Sequence, residues 1–367
     1  MDPATKHLSL EQPNKSSHLW KYTPWKRVHP TGKLDSIPKM GTPKLSISSI
    51  DGTAAPDGIR LVEGITSDID PGIGDEFTNS FLNASSKNSK WTLEIDRGFT
   101  SGSPILLEIK TEGKCDIAHI SLDVGIRANF ELVTKVVGEC EWFGILRTGH
   151  IGDGAILNDV MLGLQEKGAM LRSDSISLGR DSHVRVGTVS SGSERTKADL
   201  RYRLSNPGGT VRVLGSILSA DSMHLDHHIE IHHEAPQTFS RLSWHSACGG
   251  KSRTVGTGML RVSEGSKGAD AAQIFHNLLL SDGAEADSIP ELEVMESDVV
   301  GCGHGTANGP IDEEQEFYLQ ARGYDKHDAR RALIAAFLNS TLSEMGGDSL
   351  HEWLVAVLTR QLESLES

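Results

Sequence analysis

Between Trp91 and about Val300, apolar and polar residues alternate in segment after segment, and this pattern is the strongest constraint on the fold. In the longest run, thirteen residues long, every second residue is apolar: Ile120, Leu122, Val124, Ile126, Ala128, Phe130 and Leu132. A period of two is typical of strands buried on one face. No convincing amphipathic helix interrupts the pattern. The sequence therefore predicts a mainly β core, built either as a sandwich or barrel or as a coiled β-helix.

The composition agrees with a chain of strands and turns and excludes some partners. Among 367 residues, 38 are glycine and only 5% are aromatic, which favours short strands over a helical bundle. The formal net charge of −14 argues against binding to nucleic acid, which requires a basic surface. The sequence has no run of about eighteen apolar residues that could cross a membrane. We therefore expect a soluble, cytoplasmic protein that binds neither nucleic acid nor membrane.

The pattern divides the chain into three regions. Residues 1–90 are poor in periodicity and are interpreted as an N-terminal region with linkers. Residues 91–310 form the predicted β core, and residues 311–367 form a predicted helical region. Within the first region, Trp20 and Trp25 belong to an aromatic segment that we expect to anchor loose chain on the core.

The helical region carries its own start and stop signals. Asp312 can cap a helix with an acidic first turn, and Gly323 is placed to end it. Asp325 can start the next helix. A last helix carries an apolar stripe from Leu350 to Leu365, and such a stripe must be covered. Either the β core or a partner protein could cover it.

The segment GCGHG carries two metal-binding side chains in a predicted glycine-rich turn. Cys302 and His304 are two residues apart, so on an extended backbone their side chains point the same way. A thiolate and an imidazole suit iron, copper or zinc, but two ligands cannot complete a four-coordinate site. Further ligands would have to come from His233, Cys248 or a second subunit. The alternative is a tight turn with a buried thiol and a hydrogen-bonded histidine.

A histidine-rich stretch at residues 223–236 resembles a second metal site, but its residues sort by parity. On a strand, the even-numbered residues place histidines and carboxylates on one face, which we expect to be solvated. The odd-numbered face is apolar apart from His227 and His233, which would turn inward. Solvated or hydrogen-bonded histidines are the favoured interpretation. His233 is also a weak candidate for lining a channel or metal path.

Two further features concern nucleotides and disulfides. Residues 249–252, GGKS, imitate the end of a phosphate-binding loop, but His245 stands where such a loop needs glycine, and a strand pattern follows. We therefore expect this chain to bind no nucleotide.

Cysteines are scattered without a CxxC pair, so reduced thiols are expected at all four positions: Cys115, Cys140, Cys248 and Cys302.

A long, ordered match then relates the chain to a known family. The segments PELEV, DVVGCGHGTANG, IDEEQEFYLQARG and DARRALIAAF lie between Phe275 and Phe337 and resemble the C-terminal signature of the SufB/SufD proteins of iron–sulfur cluster assembly. Residues 20–24, WKYTP, resemble the N-terminal region of SufD. The resemblance implies a right-handed parallel β-helix core with a short N-terminal region and a C-terminal α-helical region.

Two departures make the chain look like SufD rather than SufB. SufB carries a cysteine just before its counterpart of the segment beginning at Asn277, where this chain has QIFH, and it has a His-Glu pair where His304 is followed by Gly305. The resemblance implies a non-catalytic subunit of a SufBCD complex, which pairs with a SufB-like sibling and docks a SufC-like ATPase through its C-terminal helices. It also implies that His304, with Cys302 as a weaker candidate, helps to build an Fe–S cluster shared with the partner at the subunit interface.

Two alternatives stay open. One is a SufB-like homodimeric scaffold that binds its own cluster through Cys302 and Cys248, and a homodimer of the isolated chain fits this reading. The other is a β-helix enzyme acting on polysaccharide, with Asp and His residues as acid and base. The second fits poorly because the chain has few aromatic residues to form sugar platforms.

Overall fold

The computed structural model describes residues 2–65, 74–165, 167–190 and 193–364. Within these ranges, eighteen strands form two nine-stranded sheets. In spatial order, sheet I consists of β1 (Lys44–Ser49), β4 (Ile105–Thr111), β6 (Asn129–Gly138), β8 (Ile156–Gly163), β10 (His183–Ser190), β12 (Thr210–Ser219), β14 (Phe239–Cys248), β16 (Asp270–Leu279) and β18 (Gly301–Pro310). Sheet II consists of β17 (Glu285–Val294), β15 (Arg253–Val262), β13 (His224–His233), β11 (Arg195–Leu204), β9 (Ala169–Leu178), β7 (Trp142–Ile151), β5 (Cys115–Val124), β3 (Lys90–Ile95) and β2 (Ile59–Glu63). The described helices are α1 (Pro3–Ser9), α2 (Trp25–Val28), α3 (Glu76–Ser85), α4 (Glu313–Ala321), α5 (Lys326–Leu342) and α6 (Asp348–Ser364).

Successive strands alternate between the sheets, so the chain winds as a parallel β-solenoid of about 7 turns. Neighbouring strands from β3 and β4 onward pair in parallel. Of the two architectures that the alternation allowed, the coiled one is therefore confirmed. At the N-terminal end, β1 and β2 pair antiparallel with β4 and β3 and cap the solenoid.

The thirteen-residue alternation is two strands rather than one. β5 ends at Val124, the chain turns a corner at Arg127 with a φ of 58°, and β6 begins in the other sheet. Leu122 and Phe130, on either side of the corner, are both buried in the lumen. Ile126 was predicted to face inward, but it is 41% exposed because it lies on the corner itself. Even-numbered residues face the lumen in both β5 and β6, although a corner separates the two strands.

The N-terminal region is anchored by aromatic residues, as predicted. Trp20 and Trp25 are buried, and the Trp25 ring lies 4.8 Å from the Phe81 ring and 5.1 Å from the Phe77 ring, both on α3. This cluster covers part of the outer face of sheet II. The sequence missed β1 and β2, which fall within residues 1–90. The three-region division itself stays a prediction.

A buried ion network lies within the lumen. Arg147 contacts Asp159 at 2.6 Å and Asp174 at 3.2 Å, and Arg172 contacts Asp174 at 2.6 Å. The four side chains are at most 5% exposed. Burial alone would raise the pKa of Asp174, but the attraction of Arg172 and Arg147 outweighs it and lowers the pKa below its ordinary value.

The helix signals of the C-terminal region are confirmed. The Asp312 carboxylate accepts hydrogen bonds from the backbone N–H groups of Glu314 and Gln315, and Asp325 caps α5 in the same way. Gly323, just after α4, has a φ of 102°, a conformation that favours glycine.

The apolar stripe of α6 is covered by the β core. Leu350, Leu354 and Leu358 are buried between α5 and the outer face of sheet I. Leu365 lies outside the described residues. None of the helices in the described part of the chain is long and apolar enough to span a bilayer.

Candidate functional site at the open end of the solenoid

The segment predicted as a glycine-rich turn is the last strand of sheet I. β18 pairs in parallel with β16, and the ladder places Cys302 beside Ala271 and His304 beside Gln273. The backbone ladder holds this strand despite its low β-propensity. The prediction of a turn was therefore wrong, whereas the prediction that both side chains share one face agrees with the register.

Cys302 and His304 lie on the lumen side of the last coil. Their neighbours in β16, Ala271 and Gln273, are buried and point inward. The described residues add no further coil beyond β17 and β18, so this end of the lumen is open. His304 is exposed, and Cys302 is half-buried. The histidine is accordingly not sealed inside a single subunit.

Polar side chains form the floor beneath this open end. Gln273 is fully buried and crosses the lumen, where its Nε2 donates to the Glu291 carbonyl at 2.7 Å. A Cβ at position 258 would lie 2.0 Å from Gln273 Oε1, so Gly258 leaves the room for this side chain. Asn277 Nδ2 donates to Ser288 Oγ at 2.8 Å. The sequence analysis did not predict these polar residues. Gln273 and His304 occupy equivalent positions in successive coils, so the length of one coil could have indicated that they are neighbours.

The protonation of Cys302 depends on what binds there. Burial raises the pKa of its thiol, an effect only partly opposed by a backbone hydrogen bond from Ala271. At neutral pH the side chain is therefore mainly a neutral thiol. A metal ion would have to displace this proton to gain a thiolate ligand, and its binding would become stronger as the pH rises.

The chain does not assemble a complete set of metal ligands in the part that the structure describes. There, no group of three or more His, Cys, Asp or Glu side chains is arranged to hold a metal ion. Cys248 is fully buried at the far end of β14, and its register neighbour two strands on is Pro310. Eight residues at about 3.3 Å each separate Pro310 from Cys302, so the two thiols are on the order of 25 Å apart. They cannot share one ion.

His233 faces inward, as predicted, but both of its ring nitrogens are engaged. Nδ1 lies 2.7 Å from Thr238 Oγ1, and Nε2 lies 2.7 Å from Ser240 Oγ. Thr238 donates its own proton to the Ala235 carbonyl, so the network assigns the ring proton to Nδ1. Ser240 lies two strands, or about 10 Å, below Cys302. His233 therefore offers no free nitrogen to the open end.

The burial of His233 predicts a pH dependence of stability. Its pKa is lowered from 6.5 to about 4, chiefly by burial, so the unfolded chain takes up this proton first as pH falls. The contribution to stability is complete above pH 6.5 and is lost toward pH 4, by at most about 1.4 kcal/mol per pH unit. The urea midpoint of His233→Gln should therefore fall less steeply than that of the wild type over this range. Parallel curves would contradict the assignment.

The even-numbered face of the histidine-rich strand is not solvated, contrary to the sequence prediction. Asp226 is 1% exposed, and His228 and His232 are also buried. The N-terminal segment covers this face: the Thr23 hydroxyl bonds both Asp226 and His224, the latter at 2.8 Å. Short-range parity could not reveal a cover supplied by the opposite end of the chain.

The GGKS segment is the corner between β14 and β15. β15 follows it directly as a strand, so no helix N-terminus is available to hold a phosphate. The prediction of a strand at this position is confirmed.

Comparison with known proteins agrees with this architecture. The SufBD core domain of the SUF system for FeS cluster assembly matches residues 109–337. An iron–sulfur cluster assembly SufBD family protein of Mycobacterium bovis is 25% identical over 386 residues, which covers 98% of this chain and 91% of the relative. One from Mycobacterium leprae is 32% identical over 197 residues, covering 52% of this chain and half (50%) of the relative. The SufD protein of Escherichia coli is 34% identical over 112 residues, covering 30% and 26%.

The chain is therefore a parallel β-solenoid with one open end, and its last coil presents a thiol and an imidazole there. These two features define its structural class. Because the core-domain match covers more than half of the chain, the protein belongs to the SufB/SufD family of iron–sulfur cluster assembly proteins.

Proposed function

We propose that this chain is the SufD-like, non-catalytic subunit of a cytoplasmic SufBCD-type complex, where it pairs with a SufB-like sibling and binds a SufC-like ATPase. The observation that carries the proposal is the unfinished last coil, where Cys302 and His304 face a lumen that no described coil closes. A second solenoid docked along β17 and β18 would continue both sheets and bring its own side chains over these two residues. Iron and sulfide are then cargo held between the subunits.

In this role the chain supplies an incomplete set of ligands. His304 offers an imidazole nitrogen, and Cys302 offers a thiol that gives up its proton on binding. The sibling would contribute the remaining ligands, so a cluster would form only in the assembled pair. Hydrolysis of ATP belongs to another polypeptide, because GGKS lacks the helix that phosphate binding needs.

The surface that best suits the ATPase is α4. Phe317 is 72% exposed and Tyr318 56% exposed, and α4 has no buried residue. A cleft of about 650 Å³ runs beside it, between α4, Arg330 of α5 and the corner after Leu279. The stripe of α6, by contrast, is covered by the β core. Exposed aromatic residues next to a cleft are typical of a protein-binding hot spot.

The double variant Phe317→Ala/Tyr318→Ala is expected to bind the ATPase at least about 30-fold more weakly, since truncating even one hot-spot aromatic costs about 2 kcal/mol. Titration calorimetry against a purified SufC-type ATPase measures this. Deleting all residues after 311 is a poorer test, because removal of α5 and α6 would uncover the apolar face of sheet I. Leu8→Ala, at another exposed apolar residue, serves as the matched control. Equal affinity of the double variant and the control would rule out α4 as the dock.

A SufB-like homodimeric scaffold is the second candidate, and the structure supports it less. Cys302 and Cys248 are too far apart to bind one cluster, and burial raises the pKa of Cys248. Anaerobic reconstitution of the isolated chain separates the two candidates: a brown chromophore on the lone protein supports the scaffold, and the absence of a chromophore supports the shared site.

Among the described residues, the exposed large aromatics lie on or next to α4 and not along the solenoid, so the polysaccharide enzyme lacks a sugar platform.

A further inference from the structure

Two imidazoles lie side by side on the outer face of sheet I, away from the lumen. His245 of β14 and His276 of β16 are partners in the parallel register. The residues that precede them, Trp244 and Phe275, belong to the lumen core, so both histidines point outward. Their ring centroids are 5.0 Å apart and their planes are inclined at 41°. The rings are therefore close to each other without being stacked flat.

Helix α5 fixes the orientation of the His245 ring. The Phe337 ring stacks on it, with centroids 4.7 Å apart and planes inclined at 18°. His245 Nδ1 lies 3.1 Å from the Phe337 carbonyl oxygen and 2.9 Å from Ser340 Oγ, and the Ser340 hydroxyl donates to the same carbonyl. Because a carbonyl only accepts hydrogen bonds, the network assigns the ring proton to Nδ1. His245 Nε2 therefore carries a lone pair.

That lone pair faces open space. Among the residues that the structure describes, no group forms a hydrogen bond or an ion pair with His245 Nε2 or with either ring nitrogen of His276. The next strand of the sheet, β18, places Ala307 beside His276, and Ala307 is exposed. No atom lies within 4 Å of the point where a Cβ at Gly305 would stand. A ligand together with its water molecules has room in front of the two rings.

The arrangement has the features of a metal-binding histidine pair. A histidine that binds a metal through one nitrogen almost always donates its other ring N–H to a carbonyl, a carboxylate or water, as His245 does. Two Zn–N bonds of about 2.0–2.1 Å hold their nitrogens within about 4 Å of each other, a separation that two adjacent imidazoles can reach. Imidazole ligands suit zinc, copper and nickel, whereas magnesium and calcium require oxygen.

We propose that His245 and His276 bind a divalent transition-metal ion such as Zn²⁺ on the outer face of sheet I, with water in the remaining positions. In the described ranges no third ligand joins them, so the ion stays accessible to a ligand from outside the chain. Cys302 and His304 face the lumen on the other side of the sheet and cannot reach the same ion. The inference therefore does not depend on the proposed function.

The test is titration calorimetry of the full chain with Zn²⁺. A Cys302→Ser/His304→Ala background removes the contribution of the open end. In this background, His276→Ala should weaken Zn²⁺ binding at least tenfold, since losing even an outer-shell partner of a metal ligand costs that much. The matched control is His183→Ala, which removes an exposed imidazole on the same face of sheet I, in β10, and should leave the affinity unchanged.

A gain of affinity provides the second measurement. Ala307→His adds a third imidazole in register with His276 on the outer face, and it should tighten Zn²⁺ binding at least tenfold. The proposal is overturned if the background chain binds no Zn²⁺, or if His276→Ala and His183→Ala bind it equally well while circular dichroism shows both folded. Failure of Ala307→His to tighten the binding would also overturn it, because the imidazoles of the row would then not converge on one ion.

Discussion

Replacing His304 with alanine is expected to abolish cluster formation by the assembled complex while the chain stays folded and still binds its partners. The side chain is exposed, so its removal opens no cavity in the core. What is lost is the imidazole at the open end, where Cys302 alone would remain as a ligand from this chain. Iron and sulfide content, with visible absorption after anaerobic reconstitution of the complex, measures the effect.

The matched control is Thr306→Ala, which trims an exposed side chain on the same face of β18, one step further along the strand. It should give a normal cluster yield. His304→Gln keeps a polar side chain but lacks the imidazole and should behave like the alanine variant. A full cluster yield from His304→Ala would remove His304 from the site. Loss of the complex together with the cluster would indicate a structural role instead.

Replacing Asp174 with alanine is expected to destabilise the protein by about 3 to 5 kcal/mol, because it leaves buried positive charge without compensation. Asp174 contacts both Arg147 and Arg172, so one substitution breaks two ion pairs. Of its hydrogen bonds to described side chains, Arg172 would keep the one to Thr188. Urea unfolding followed by circular dichroism measures the loss of stability.

A charge-neutral double substitution separates charge from packing in this network. Arg172→Met/Asp174→Leu removes one charge of each sign and refills the volume with apolar atoms, so it should cost much less than Asp174→Ala. Asp123→Ala, at an exposed position on β5, should change the stability little. If Asp174→Ala costs less than about 1 kcal/mol, the lumen near Arg147 is open to water and the network is not a buried one.

Side-chain direction within single strands could be predicted from the sequence because the extended backbone fixes it. His227 and His233 face inward as parity required, and Cys302 and His304 share one face. The coiled architecture could not be derived from the alternation alone, since a sandwich alternates in the same way. It was the family resemblance that implied the β-helix.

What covers a face is set by distant parts of the chain, and there the sequence prediction failed. The even-numbered face of β13 is covered by the N-terminal segment, in which Thr23 lies 201 residues before its partner His224. The floor beneath His304 was missed for a similar reason. Gln273 and His304 become neighbours only through the register of β16 with β18, which depends on the length of the intervening coil. The local alternation of apolar and polar residues shows neither which distant segment covers a face nor the register between successive coils.

The two ends of the solenoid are unlike, which gives the molecule a direction. One end is finished by the short antiparallel strands β1 and β2, and only the other presents full-length parallel strands. Units of this kind can meet head to head, but the finished end resists continued head-to-tail stacking. A protein rich in parallel strands thereby avoids growing into a fibre.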